Sequence, residues 1–563
     1  MTPESGSSDH RISAQARSRW TKACLALVVV KLLILVVLAF NTRLVMDEFW
    51  HLHQSFYLFN GFFTEIWPEK AVLYAVYFKL SAYLSWDAVS QILVARGLSA
   101  VLAIGLVAVV YATSRAAGHS RLAALAVALV LLSFSNFIER GFRLRSEPLA
   151  ILLAATALWI VVRGPMDRMR TIAIAGILSG LAFVTTQKSV YFNVALGAGL
   201  VIDALSQRSV TVAVKRALAL IGGWAAAVLA YVIVFGGWDA PALLRWTFVG
   251  PLEMATTGQT SYGNLRAYTG QTVQRNVILY MACFVGLAWQ LRHFPALSPG
   301  ARVHVVFTLV ITLLVFTHNQ PWPYVFTMAI PFLAFYAVPC FLSRGTTQGR
   351  RKLLLVLFAV ALTLSFARNA YYLGHDNRRQ LAVVRAAEAE VPPGSTYFDG
   401  TGLLPNRAMV PYLWLDALGV RKTLDAGDAS PMMLGLRRTP PAVIIENYRI
   451  VGLSALLQPL VGQSYVQVGR NLRVPGIRLA PGEPQGFSVL SGAVFVARDD
   501  QANLISEIVI DGQIRTLPLR LEVGEYSLRT TRDDPVWIVP ERLDPRLLTR
   551  NLKYRELFAD VYE

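Results

Sequence analysis

The sequence predicts an α-helical polytopic membrane protein of about eleven transmembrane helices. An extracytoplasmic segment follows, first α/β and then β-sandwich-like. Three observations predict this class. Of 563 residues, 55% are hydrophobic and only 16% are charged, against about a quarter charged in soluble proteins. Apolar runs recur along the chain as far as residue 368, and beyond it the composition turns polar with short alternating segments. Lysine and arginine concentrate in every second connection between the runs, as they do where a chain crosses a bilayer repeatedly.

The apolar runs are 23–41, 88–112, 121–137, 148–162, 171–186, 189–205, 217–236, 276–291, 303–317, 323–342 and 353–368. A spanning helix needs about 17–25 residues, and 148–162, 276–291 and 303–317 are short by that measure. Residues 1–22 carry Arg11, Arg17 and Arg19. No small-residue cleavage site follows the first run, so these residues are expected to form a retained cytoplasmic tail. With that orientation the cytoplasmic connections hold Arg115 and Arg121, then Arg163, Arg168 and Arg170, then Arg208, Lys215 and Arg216, then Arg292 and Arg302, and last Arg344, Arg350, Arg351 and Lys352. An odd helix count places the C-terminal part outside the cytoplasm. The division predicted is 1–22 tail, 23–368 membrane domain, 369–474 α/β segment and 475–563 β-rich module.

The net charge of +18 is explained by those connections, and nucleic acid is not among the expected partners. Cys24, Cys283 and Cys340 all lie in apolar runs, too few and too scattered for a disulfide framework or a zinc site.

The outward connections differ from the cytoplasmic ones. The first, 42–87, opens with Asp47-Glu48 and contains Trp50, His51, His53, Tyr57, Phe62, Phe63, Trp67, Glu69, Lys70 and Tyr74. Residues 52–62 read as an amphipathic helix lying in the interface. The second, 138–147, holds Glu139, Arg140, Arg143, Arg145 and Glu147; the third is a tight turn with Gln187-Lys188; the fourth, 237–275, is polar; the fifth runs from His318 through Gln320 and Trp322 to Pro323. Beyond the runs, 377–391 reads as an amphipathic helix, and Ser395–Asp399 and Ala442–Glu446 read as strands. Later strands are expected near 492–497, 505–510, 517–521 and 526–530.

Cations on the side that lysine and arginine normally avoid need another purpose. Binding an anion supplies one, since arginine forks and lysine ammonium groups are the common phosphate ligands. Carboxylates beside such a set suit a transfer in which a lipid phosphate leaves, cations stabilise its departure and a carboxylate takes the acceptor proton.

In these respects the chain resembles the GT-C superfamily of polyprenyl-phosphate-sugar-dependent glycosyltransferases, and within it the protein O-mannosyltransferases and the lipid A aminoarabinose transferase. The residues that carry the resemblance are the acidic pair Asp47-Glu48 after the first run and Glu69-Lys70 before Leu73-Tyr74. Arg143 to Glu147 opening the fourth helix, Lys188 in the turn after the fifth, and His318 to Phe335 with Tyr324 and Pro331 complete the set. It covers residues 25–342. The sequence departs from the family where Lys70 is followed by Ala71-Val72 rather than two prolines, and where the second acid is Glu147 rather than Asp.

The resemblance implies a membrane glycosyltransferase that inverts the anomeric carbon and needs no nucleotide. Its partners would be a polyprenyl-phosphate sugar, a glycan, lipid or protein acceptor, and the bilayer. Asp47, Glu48 and Glu147 would be catalytic, with Asp47 the base. Lys70, Arg143, Arg145 and Lys188 would bind the donor phosphate. Glu69, His51, His53, His318, Gln320 and Tyr324 would contact substrate. No metal ligand set is assigned, and a divalent cation is left open as a cofactor.

Plainer readings exist for the same residues. Asp47-Glu48 can be a solvated pair at a helix end, Lys188 and Arg140 can be snorkelling anchors, and the loop aromatics can be an interfacial belt. At the level of function the alternatives are a transporter or flippase of a lipid-linked sugar, and a non-catalytic scaffold whose C-terminal part binds glycan.

Overall fold

The computed structural model describes residues 6–58, 73–235, 240–250, 266–318, 322–342, 348–411, 413–550 and 552–558. Contacts divide the chain into two compact units. One comprises Met1–Thr42, Trp67–Phe78 and Ala95–His375, the other Arg43–Ile66, Lys79–Val94 and Asp376–Glu563.

The first unit is helical. A helix lies on each of the eleven apolar runs. Among the described residues six are long and apolar enough to cross a membrane: Ser18–Asn41, Ala88–Ala116, Gln187–Ser206, Val210–Phe235, Pro299–Phe316 and Lys352–Leu373. Arg121–Ser133, Met169–Thr185 and Val277–Arg292 are apolar but shorter. The count of eleven spans therefore includes helices that do not reach spanning length. The first helix shows the pattern of a lipid-facing element. Val29, Leu33 and Val37 are exposed, whereas Val28, Leu35 and Leu38 are buried against the bundle. An exposed apolar stripe of that kind is stable only in hydrocarbon, so the protein is a multi-pass membrane protein.

Two features lock the bundle. Met169–Thr185 and Val210–Phe235 touch backbone to backbone at Gly176 and Gly223, where a Cβ on Gly223 would stand 2.0 Å from the Ala173 carbonyl oxygen. Small residues permit this approach where no hydrophobic force drives helices together. Asp203, fully buried, accepts hydrogen bonds from Arg216 Nη1 and Arg302 Nε, each at 2.7 Å. Two of the arginines counted by charge bias are thus partners of a buried acid.

The second unit joins the start of the first loop to the C-terminal part of the chain. Side-chain amides and carboxylates tie these parts of the unit together. Gln380 pairs with the Leu44 backbone in both directions, at 2.8 Å each. Glu388 accepts from the Ala88 N–H, and the Tyr57 hydroxyl accepts from the Met409 N–H at 3.1 Å. The helix Met46–His53 ends at His53, and residues 54–58 form hydrogen-bonded turns. The interfacial helix expected over 52–62 is therefore replaced, over its described part, by a mostly buried turn. Gln54, Ser55, Tyr57 and Leu58 are interior residues here. The remainder, 59–62, lies outside the described residues.

The predicted amphipathic helix is present as Arg378–Glu390. Strands β1 (Thr396–Tyr397) and β2 (Ala408–Met409) pair in parallel, and Phe398 bridges to Ile444 of β3 (Ile444–Ile445). β3 continues into a three-stranded sheet with β5 (Leu472–Pro475) and β4 (Tyr465–Val468).

The last module has two antiparallel sheets. One runs β11 (Gln513–Thr516), β10 (Glu507–Ile510), β13 (Gly524–Arg529), β7 (Gln485–Val489). The other runs β12 (Leu519–Leu521), β8 (Ala493–Arg498), β14 (Val536–Pro540), β6 (Ile477–Leu479), with β9 (Leu504–Ile505) on β8. Leu479, Phe487, Phe495, Ile508, Leu528 and Ile538 from the two sheets form one core. This is the sandwich that the alternating segments predict.

Candidate functional site

The helix Met46–His53 carries the acidic pair in its first turn. Acids at that position interact favourably with the helix N-terminus. The two carboxylates are not equivalent. Glu48 is fully buried and its Oε2 accepts from the Val45 N–H at 2.9 Å, closing the first turn as a capping carboxylate does. Asp47 is only partly buried. Of the pair, Asp47 is the more exposed.

The histidines of this helix are interior. His51 Nδ1 donates to the Asp47 carbonyl at 2.7 Å, one turn back. His53 Nε2 donates to the Arg407 carbonyl at 2.8 Å, and the rings of Phe56, Tyr57, Tyr397 and Trp414 surround it. The His53 ring is 0% exposed and its Nε2–H is spent on backbone.

Burial holds the His53 imidazole down at about 4, well below the ordinary 6.5. At neutral pH it is uncharged both folded and unfolded. Between 6.5 and 4 the unfolded chain takes up a proton that the folded one refuses, so stability falls as pH drops through that window. The expected loss approaches roughly 3 kcal/mol. Melting temperatures measured from pH 7 to 4 should decline, and His53→Gln should flatten part of that decline. An unchanged acid limb in the variant would show that His53 is not its source.

In the membrane unit three helix ends converge. Glu147 begins the helix Glu147–Arg163, with Pro148 in the first turn. Lys188 sits in the 3₁₀ turn Gln187–Ser189 between two helices. Tyr324 precedes the 3₁₀ turn Val325–Met328. Glu147, 3% exposed, accepts from Arg145 Nε at 3.2 Å and from Lys188 Nζ at 2.9 Å. Both cations lie over the Tyr324 ring, the Arg145 Cζ 3.5 Å and the Lys188 Nζ 4.6 Å from its centre. Tyrosine faces attract cations, so Tyr324 holds the pair in place.

Arg143 bonds its own turn, Nε to the Glu139 carbonyl at 3.1 Å. His318 meets the Tyr191 hydroxyl at 2.8 Å. Burial, with Lys188 nearby, holds His318 down at about 4. It is therefore neutral at pH 7 and adds no charge.

A narrow crevice of about 10 Å³ lies beside the cluster. Arg140, Arg145, Glu147 and Tyr324 line it together with apolar residues such as Leu106 and Ile151. Among the described residues, no three His, Cys, Asp or Glu side chains converge as ligands of a metal ion. Glu69, Lys70 and Gln320 lie outside the described residues.

The sequence brings Arg145, Glu147, Lys188 and Tyr324 forward as candidates, and the structure places them in one cluster. It did not single out Tyr191, whose role depends on a fold contact with His318. Nor did it single out Asp203, which shows in sequence only as one acid at the end of an apolar run.

Residues 421–474 match a family described as a domain of unknown function, DUF7056. No curated protein matches the chain. Solved structures do. ArnT from Cupriavidus metallidurans bound to undecaprenyl phosphate superimposes with a TM-score of 0.59 at 14% identity, covering 81% of this chain and 97% of that one. The apo state of the same protein gives 0.57 at 16% identity, over 82% and 98%. The apo oligosaccharyltransferase of Archaeoglobus fulgidus gives 0.51 at 12% identity, over 81% and 73%. At these identities the likeness is one of fold alone, shared with ArnT and with the archaeal oligosaccharyltransferase.

Proposed function

We propose that the protein is an integral-membrane glycosyltransferase. It would move one sugar from a polyprenyl phosphate to a hydroxyl of a cell-envelope glycan, lipid or protein, with inversion at the anomeric carbon. The observation that carries this reading is the buried cluster in which Arg145 and Lys188 share the Glu147 carboxylate over the Tyr324 ring. Arg140 and apolar residues such as Leu106 and Ile151 line the same crevice. Arginine and lysine at such a place suit a lipid phosphate, and the apolar neighbours suit its chain. The fold supports the reading, because one solved structure that shares it was obtained with undecaprenyl phosphate bound.

In this reading the acceptor hydroxyl loses its proton to the Asp47 carboxylate as its oxygen bonds the anomeric carbon. The bond from that carbon to the phosphate oxygen breaks, and polyprenyl phosphate departs with the electron pair. Lys188 and Arg145 stabilise the charge that develops on the phosphate. Glu147 keeps both cations aimed, and Glu48 keeps the helix of Asp47 closed. The chemistry requires Asp47 and Lys188 on one membrane face. Charge bias supports that face being extracytoplasmic, with the N-terminus inside, the C-terminal part outside and the plasma membrane as location.

Lys188→Ala is expected to weaken donor binding. Loss of one hydrogen bond between charged groups costs about 1.5–3 kcal/mol, or roughly 10–150-fold in affinity. Binding of a fluorescent undecaprenyl phosphate to the purified protein reads this directly. Affinity equal to wild type would remove Lys188 from the phosphate site.

A further inference from the structure

A second polar cleft of about 60 Å³ lies elsewhere in the membrane unit. Its polar lining is Ser133, Ser135, Gln274, Arg275, Asn276, Ser365 and Arg368. It sits where the helix Arg121–Ser133 ends, the helix Val277–Arg292 begins and the helix Gln348–Leu373 nears its last turn. None of its lining residues belongs to the cluster around Glu147.

Three properties of this cleft point to one ligand chemistry. The first is charge. Two arginines line it, and among its lining residues none is acidic. One Arg368 N–H is spent on the Arg275 carbonyl, at 3.0 Å, and a guanidinium has five.

The second property is the layer beneath. Lys31 is fully buried in the middle of the first helix and donates to Ser365 Oγ at 2.8 Å. Its ammonium also rests on the Phe366 ring, 4.0 Å from the centre. The Asn369 amide, turned to satisfy its neighbours, offers its oxygen at 2.8 Å. These partners are all neutral, and a buried cation in hydrocarbon is costly without an anion near it.

The third property is the mouth. Leu364 and Val277 line the cleft and are 60% and 50% exposed on helices that face lipid. The cleft therefore opens sideways into the bilayer.

We propose that this cleft holds the phosphate of an anionic phospholipid. Arg275 and Arg368 would grip the phosphate, Ser365 and Lys31 would form the floor, and an acyl chain would lie over Leu364 and Val277. Arginine guanidinium groups are common ligands of a phosphate.

The test uses full-length protein in detergent, stripped of lipid and titrated with phosphatidylglycerol, phosphatidylcholine or inorganic phosphate. Bound molecules are counted by native mass spectrometry. Wild type should retain one tightly held phosphatidylglycerol in preference to phosphatidylcholine. Arg275→Gln with Arg368→Gln should weaken it about tenfold or more. Because that pair also loses the contact to the Arg275 carbonyl, Leu364→Trp serves as a second variant. It keeps both arginines and narrows only the lipid-facing mouth, and it should weaken phosphatidylglycerol as well. Retention unchanged in both variants would overturn the proposal. So would a site that takes inorganic phosphate equally well and ignores Leu364→Trp, since that is a site for a free anion.

Discussion

Asp47→Asn is expected to lower the rate of sugar transfer by about 10²–10⁴-fold, the span that general-base catalysis typically contributes. The substitution keeps the shape of the side chain and removes its ability to accept a proton. Donor affinity should be nearly unchanged, because the proposed phosphate ligands are Arg145 and Lys188. Glu48→Gln should behave differently. Glu48 is buried and its Oε2 caps the helix, so its replacement should lower thermal stability together with rate. Single-turnover rates and melting temperatures for the two variants separate a base from a cap. If Glu48→Gln alone abolished transfer and left stability intact, the roles of the two acids would be reversed.

The largest effect on folding is expected from Asp203→Ala. Arg216 and Arg302 both end on this fully buried carboxylate. Removing it leaves two guanidinium groups facing each other without an anion. Breaking a buried pair in this way costs about 3–5 kcal/mol. Thermal unfolding in detergent should shift down by several degrees, and Asp203→Asn should recover only part of the loss. Little or no shift would mean that water or lipid phosphate already screens the arginines.

Much of the fold is legible because the forces behind it are periodic. Apolar runs locate the helices, since a chain in hydrocarbon must satisfy its own backbone hydrogen bonds. Alternation locates the strands of the sandwich, because its two inner faces bury every second residue. The helix Arg378–Glu390 and the strands at Thr396 and Ile444 follow from the same patterns. Span length was less legible. Arg121–Ser133 is apolar enough but short, and hydropathy cannot say where a helix breaks before Ser135.

The membership of the second unit was not legible at all. It rests on Gln380 reaching the Leu44 backbone and on Glu388 reaching Ala88, and such side-chain pairings leave no local pattern in the sequence. The same holds within the candidate site. Arg145, Glu147 and Lys188 stand out as charges near apolar runs, and their residue types announce a purpose. Glu48 and His53 stand out equally, yet their surroundings turn one into a cap and the other into a core ring. Lys31 is the converse case. It is a lone lysine in an apolar run, and only the contact with Ser365 shows where it points.

The most direct measurement is transfer itself. Purified protein in vesicles is given a radiolabelled polyprenyl-phosphate sugar together with cell-envelope acceptors. Products are separated into free polyprenyl phosphate, unreacted donor and glycosylated acceptor. Wild type is expected to release polyprenyl phosphate and to place label on an acceptor through a new glycosidic bond, whereas Asp47→Asn does neither at a comparable rate. Donor that crosses the bilayer intact with no new bond formed, or an Asp47→Asn protein as active as wild type, would contradict the proposed transfer and its base.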